Sequence, residues 1–299
     1  MPVSLLPSFL LTFREGVEAA LVVVIVASYL KRTGRQNLNR YLYSGAIIAV
    51  GASLLIGLAV SAVYGELTGA SIEIFEGIAA LTATVVLTYM ILWMTRHAQT
   101  LRSELEQRLE TAVTSGQVLG VAAISFVAVF REGLETVLFL TTLAIIDSFG
   151  TLAGAVAASL LVAIAGAFVM RGVHRLDINR FFQFTSIVLI LFAAGLAGYG
   201  VHELIEAGES LGMEVGILAR PAFDINPPLN VDGTYPLLHE KGAVGSVLAG
   251  LVGYDGNPEW MRVIVYVGYW LVLGTYVLLS HRRMKSAHIA HIHRDAAQP

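Results

Sequence analysis

The sequence contains no cysteine, so disulfides, thiolate metal sites and thiol catalysis are excluded together, and cysteine usage says nothing of the redox compartment. Charge is almost as scarce. Only 14% of residues are charged against 56% hydrophobic, the formal net charge is −3 and the mean hydropathy is +0.72. That balance lies outside the range of soluble globular domains, and it offers no basic surface for nucleic acid. No Gly-x-x-x-x-Gly-Lys-Ser/Thr run is present, which argues against a phosphate-binding loop and direct ATP coupling. The N-terminal stretch lacks the basic region of a secretory leader and its apolar run is broken by Arg14 and Glu15, so the first hydrophobic segment is read as part of the mature chain.

Long hydrophobic runs are what the chain has in abundance. Segments near 8–30, 41–64, 74–95, 118–146, 152–170, 181–204 and 260–280 are each long enough to cross about 30 Å of hydrocarbon as a helix. Basic residues orient them. Lys31, Arg32, Arg35 and Arg40 fill the first loop, Arg96, Arg102 and Arg108 the third, Arg171, Arg175 and Arg180 the fifth, and Arg282, Arg283 and Lys285 follow the last span. The opposite-side segments 65–73, 147–151 and 205–259 hold only Arg220 and Lys241 as basic residues, which predicts an N-terminus outside and a C-terminus on the cytoplasmic side.

Against this apolar background one charged motif occurs twice, as Phe13-Arg14-Glu15-Gly16-Val17-Glu18 and Phe130-Arg131-Glu132-Gly133-Leu134-Glu135. An ionised side chain at the centre of a bilayer costs roughly 2.5–3.5 kcal/mol even on the lenient insertion scale, so six of them imply an ion or substrate path. The copies fall in spans one and four, an odd offset that predicts opposite directions through the membrane and hence an inverted repeat with its site at the midplane, one half moving against the other. The expected fold is all-α with seven transmembrane helices: a first three-helix repeat over 1–95, a cytoplasmic connector over 96–117, a second repeat over 118–204, an extracytoplasmic segment over 205–259, and a seventh helix with a cytoplasmic tail over 260–299. Span seven has no counterpart and either caps the bundle or supports a homo-oligomer.

At about 100° per residue, Arg14, Glu15 and Glu18 share one face with Gly16, Ala19 and Ala20 behind, and Arg131, Glu132 and Glu135 repeat the arrangement. Arg and the second Glu are four apart and can pair on their own helix, which leaves Glu15 and Glu132 as the expected unpaired acids. Two such helices present up to eight carboxylate oxygens and no sulfur or imidazole, a donor set for a hard cation. Interhelical ion pairs that merely hold the bundle, and a proton relay through the same groups, are the competing readings.

These residues resemble the high-affinity iron permease family, the oxidase-dependent iron transporters of fungi and bacteria, and look most like its bacterial EfeU-type permeases. The family's Arg-Glu-x-x-Glu motif in the first and fourth of seven spans is matched by Arg14, Glu15 and Glu18 and by Arg131, Glu132 and Glu135. The resemblance implies a membrane transporter rather than an enzyme, with no cofactor and iron as the transported ion. It implies Fe3+ uptake after oxidation outside the membrane by periplasmic iron-oxidising or iron-binding partners. Glu15 and Glu132 are then the primary ligands, Glu18 and Glu135 secondary ones, and Arg14 and Arg131 lower the site charge enough for release. The alternative is a proton- or sodium-coupled transporter of another metal cation, or of Fe2+, through the same acids. A non-transporting membrane subunit is the third reading.

Further acids flank this core. Glu73 and Glu76 at the outer end of span three align with Gly77, Ala80, Thr84 and Thr88, a small and polar stripe that suggests a path with an outer capture site. Span six carries Gln183 at the equivalent inner position, which would ease release; the plainer reading of Glu73 and Glu76 is a helix N-terminus that favours carboxylates. His202-Glu203-Leu204-Ile205-Glu206 approaches the zinc-protease pattern but lacks its second histidine, leaving ordinary span-end polar residues or a supporting metal contact. Asp224, Asp232, His239 and Glu240 lie in a segment expected to fold over the entrance or partly re-enter, since 242–252 is apolar but too short to cross. The tail histidines His281, His288, His291 and His293 suit either metal reception or a basic tail on anionic lipid. The connector reads as a polar surface helix with Glu104 and Arg108 four apart.

Overall fold

The computed structural model describes residues 4–97, 105, 107, 109–111, 118–170, 178–230 and 232–276. Its long helices are α1 (Leu5–Arg32), α2 (Asn39–Gly65), α3 (Ala70–His97), α4 (Val118–Ile146), α5 (Ser148–Met170) and α6 (Ile178–Ser210). A short helix α7 (Ala243–Val252) follows, and residues 260–276 form a further helix, α8. Among the described residues no strand occurs beyond a single bridge between Pro221 and Glu259. Four helical stretches, Gln36–Gly65, Ala70–Trp93, Ser148–Phe168 and Thr185–Ser210, are long and apolar enough to cross a membrane. The motif helices α1 and α4, at 28 and 29 residues, have the length as well but carry their charges in mid-helix. The molecule is therefore a multi-pass, all-α membrane bundle.

Helices form here because nothing else satisfies the backbone in an apolar surrounding. Hydroxyls inside them are satisfied locally: Ser53 Oγ donates to the Ala49 carbonyl, Thr84 Oγ1 to Ala80, Ser125 Oγ to Val121 and Thr142 Oγ1 to Leu138. The helices coincide with the hydrophobic runs, except that α6 continues six residues beyond the expected end, through Glu206 to Ser210. Hydropathy stops at His202 and Glu203, but the helix does not, because those two side chains face protein.

The packing has a symmetry of its own. The closest partners are α3 with α6, α2 with α4 and α1 with α5, followed by α1 with α4. Exchanging α1, α2, α3 for α4, α5, α6 leaves this set of pairs unchanged. Burial follows the same exchange: the apolar stretches of α2 and α5 are 11% and 17% buried, those of α3 and α6 39% and 56%. Helices α2 and α5 thus hold the periphery, where Ile47, Leu54, Leu55, Leu58, Phe149, Leu152 and Leu160 are exposed. The centre holds Leu11, Leu87, Met90, Phe139, Leu189 and Phe192 from α1, α3, α4 and α6.

The structure corrects two expectations. The small and polar stripe of α3 is not an open channel wall: Gly77, Ala80 and Thr84 form the seam with α6, and Thr88 meets the Tyr269 hydroxyl of α8 at 3.0 Å. A Cβ on Gly77 would meet the Gly200 carbonyl oxygen at 2.8 Å, one on Gly200 would meet that of Gly77 at 2.9 Å, and Thr84 Oγ1 reaches the Ala193 carbonyl at 3.4 Å. Small residues serve close backbone approach here. The connector, in turn, is not merely a polar surface helix. Leu105 and Leu109 are buried against Val22, Val26, Leu30, Leu38, Leu42 and Val121, while Gln107, Glu110 and Thr111 are exposed. Glu104 and Arg108 lie outside the described residues, as do the tail histidines and the side chain of Gln183.

The 205–259 segment folds back onto the bundle. α7 packs on α6 and α1 and ends at Gly253, whose φ of +70° places it in the left-handed region. Gly253 also touches the backbone of Gly195 in the middle of α6, so a side chain at either glycine would separate the two elements. Asn226 and Glu240 tie the segment together through Asn226 Nδ2 to Glu240 Oε2 at 3.1 Å and Glu240 N to Asn226 Oδ1 at 3.1 Å.

Candidate metal centre between the two motif helices

The two motifs meet where α1 crosses α4. Arg14 is fully buried; its Nη1 donates to Glu15 Oε1 at 3.1 Å and its Nη2 lies 3.0 Å from Glu18 Oε1. Arg131 Nε donates to Glu135 Oε1 at 3.0 Å and stands 3.8 Å from Glu132 Oε1. The expected Arg–Glu pairs at four-residue spacing therefore form in both copies. The expectation that Glu15 is unpaired is overturned, because the Arg14 guanidinium bridges both acids of its motif.

One carboxylate oxygen each from Glu15, Glu132 and Glu135 lies within 4.8 Å of the other two, a spacing that one metal ion would span. Glu15 Oε2, Glu132 Oε2 and Glu135 Oε2 are buried without a hydrogen-bond donor. A buried carboxylate oxygen normally has a partner, so three clustered carboxylates that each keep one oxygen without a donor mark where a cation fits. If all six charged groups are ionised, four carboxylates and two guanidinium groups sum to −2. The donor set is oxygen only, as a hard cation prefers.

Two residues of α3 border this group. Arg14 Nη1 also approaches Met90 Sδ at 3.1 Å, and the Arg131 guanidinium carbon sits 5.0 Å from the centre of the Trp93 ring. Neither was singled out from sequence, where a Met and a Trp three apart read as ordinary apolar helix.

Glu73 and Glu76 do not join the group. Glu73 Oε1 accepts a hydrogen bond from Ser210 Oγ at 2.9 Å. Glu76 is buried, and both its oxygens are engaged: Tyr64 donates its hydroxyl to Oε1 at 2.6 Å and Tyr199 donates to Oε2 at 2.9 Å. That ties α2, α3 and α6 at one point. A second convergence stands beside it on α6, where His202, Glu203 and Glu206 bring one ligand-type atom each within 4.8 Å. His202 Nδ1 is 2.8 Å from Glu259 Oε1 and Nε2 is 3.5 Å from Glu206 Oε1. The imidazole thus joins α6 to the segment leading into α8. Tyr64, Tyr199 and Glu259 also escaped the sequence reading, since a lone tyrosine or glutamate carries no spacing signal of its own.

Comparison with known proteins places the chain in a family. No solved structure matches the chain. A protein of Archaeoglobus fulgidus described only as uncharacterised is 42% identical over 272 residues, covering 91% of this chain and 93% of the relative. A protein of Yersinia pestis named ferrous iron permease EfeU is 35% identical over 264 residues, 87% of this chain and 89% of its own length. An Escherichia coli protein of the same name is 33% identical over 268 residues, 87% and 91% of the two chains. Residues 5–279 match the iron permease FTR1 family, which spans both motifs and every helix described above. The chain belongs to that family of permeases and not to an enzyme family.

Proposed function

We propose that this protein imports iron across a bacterial inner membrane through the carboxylates of Glu15, Glu18, Glu132 and Glu135, with Arg14 and Arg131 setting the charge of the site. The observation that carries the reading is the meeting of three carboxylates from two helices, one oxygen of each within 4.8 Å of the others and each with a buried oxygen that lacks a donor, in the interior of a membrane bundle. The seven-span, inverted three-plus-three arrangement, with the N-terminus outside, is supported by the exchange symmetry of the helix pairs and by the one-sided basic loops. Glu73 and Glu76 at the outer end of α3 attract the incoming cation by their charge. The 205–259 segment is where periplasmic iron-oxidising or iron-binding partners would dock.

Fe3+ is the preferred cargo, because an all-oxygen site suits the harder ion and the two arginines temper a hold that four bare carboxylates would make too tight for turnover. Fe2+ is the second reading, favoured by the name ferrous iron permease that the Yersinia and Escherichia relatives carry. Uptake of radioactive iron into proteoliposomes, supplied as chelated Fe3+ or as reductant-held Fe2+, separates the two. Glu15→Gln and Glu132→Gln are expected to lose uptake while remaining folded. Wild-type rates in both variants would make the motifs structural and sink the proposal.

A further inference from the structure

The two motifs are the same in sequence but are held differently, and the difference lies in α3. Arg14 has no exposed surface and bonds to Glu15 while pairing with Glu18. Arg131 keeps 43% of its side chain exposed, holds Glu135 alone at hydrogen-bonding distance and leaves Glu132 at 3.8 Å. Its guanidinium instead lies over the Trp93 indole, 5.0 Å from the ring centre. That separation is within the range at which a cation is attracted to an aromatic face, and tryptophan is the strongest such face.

We propose that Trp93 is the positioning residue for Arg131: by holding the guanidinium over its ring it keeps Arg131 at 3.8 Å from Glu132 rather than at hydrogen-bonding distance, so that the Glu132 carboxylate stays available to the transported cation. Arg14 shows what the same motif does without an aromatic face, since there the arginine closes on the adjacent acid at 3.1 Å. The neighbour on that side is the Met90 thioether, one turn earlier on α3. One arginine is thereby shared closely by both acids of its motif and the other holds only one at close range, although the six residues of the two motifs differ only at Val17 and Leu134. Trp93 touches no ligand in this scheme; it acts through Arg131. The inference rests on the reading of the carboxylate group as the iron path.

The test uses the full-length protein, with Tb3+ binding followed by calorimetry in detergent and radioactive iron uptake measured in proteoliposomes. Tb3+ serves as a hard trivalent probe of carboxylate oxygens. Trp93→Leu frees Arg131 to pair with Glu132, and is expected to weaken Tb3+ binding and raise the apparent KM by roughly three- to tenfold, with little change in maximal rate. Trp93→Tyr and Trp93→Phe should recover much of the loss. On an Arg131→Gln background the Trp93→Leu change should have no further effect, because the charge that the ring positions is gone.

Unchanged Tb3+ affinity in Trp93→Leu, or an equal loss with Arg131→Gln already present, would reduce Trp93 to a packing residue. Should the Leu variant not fold, a graded affinity across Trp, Tyr and Phe supports the proposal and a flat one overturns it. Loss of uptake in Glu132→Gln beside a flat Trp93 series would sink this inference alone. Normal uptake in Glu15→Gln and Glu132→Gln would instead sink the path on which it rests.

Discussion

Arg14 and Arg131 occupy equivalent places in two copies of one motif, yet their removal should have unequal effects. Arg14→Gln leaves Glu15 and Glu18 buried without their counter-charge, and breaking a buried pair in this way typically destabilises by about 3–5 kcal/mol. A sharply lower melting temperature in detergent is the expected result. Arg131 is partly exposed and shares only Glu135 at close range, so Arg131→Gln should fold almost normally and bind Tb3+ more tightly than the wild type. The two outer acids differ in the same manner. Glu76 accepts two tyrosine hydroxyls in a buried place, and a hydrogen bond to a charged group contributes about 1.5–3 kcal/mol. Glu73 has one serine partner near the surface. Thermal unfolding should therefore fall clearly in Glu76→Gln and hardly at all in Glu73→Gln; equal effects would contradict the view that Glu76 ties three helices.

At the scale of elements, the seam between α3 and α6 depends on glycine. Gly77 and Gly200 each face the carbonyl oxygen of the other, and the Leu204 side chain also crowds Gly77. Gly77→Ala has no room unless the helices part, and overpacking of this kind costs about 1–3 kcal/mol. A methyl group on Gly166 in α5 would meet nothing within 4 Å, so Gly166→Ala should leave stability unchanged or raise it slightly. Comparison of the two melting temperatures checks the seam directly. The same seam shows how much was legible beforehand. Helix positions were readable because runs of twenty apolar residues have no other stable form in a membrane, and the motif pair was readable because charge in such runs is so costly. The partner of a stripe was not readable. Gly77, Ala80 and Thr84 look the same whether they face water or another backbone, and only the position of α6 decides it. Leu105 and Leu109 were hidden for the opposite reason, since two leucines among Glu, Gln and Arg give a weak apolar face until the groove that receives them is known. Met90 and Trp93 lay in an apolar helix where only the position of α1 and α4 reveals what they touch.

Across the whole molecule the two halves interleave. α1 packs on α5 and α2 on α4 more extensively than either packs on a helix of its own half. A transport cycle in which residues 1–95 rock as one body against 118–204 would have to break those large contacts, and packed apolar surfaces of that size resist sliding. The structure favours units that cut across the halves, α1 with α5 and α2 with α4, moving about the central α3–α6 seam. The absence of cysteine allows a direct test, because introduced thiols have no competitors. A Cβ on Gly57 in α2 would lie 3.5 Å from Val137 in α4, so Gly57→Cys with Val137→Cys places two thiols within reach of a disulfide or a short disulfide-forming cross-linker. If α2 and α4 move together, cross-linking this pair leaves iron uptake in proteoliposomes near the uncross-linked rate, although it ties one half to the other. If the halves rock as rigid bodies, the tie abolishes uptake and reduction restores it. Persistence of transport would mean that the two halves describe the order of the chain, while the pairs made between them describe how it moves.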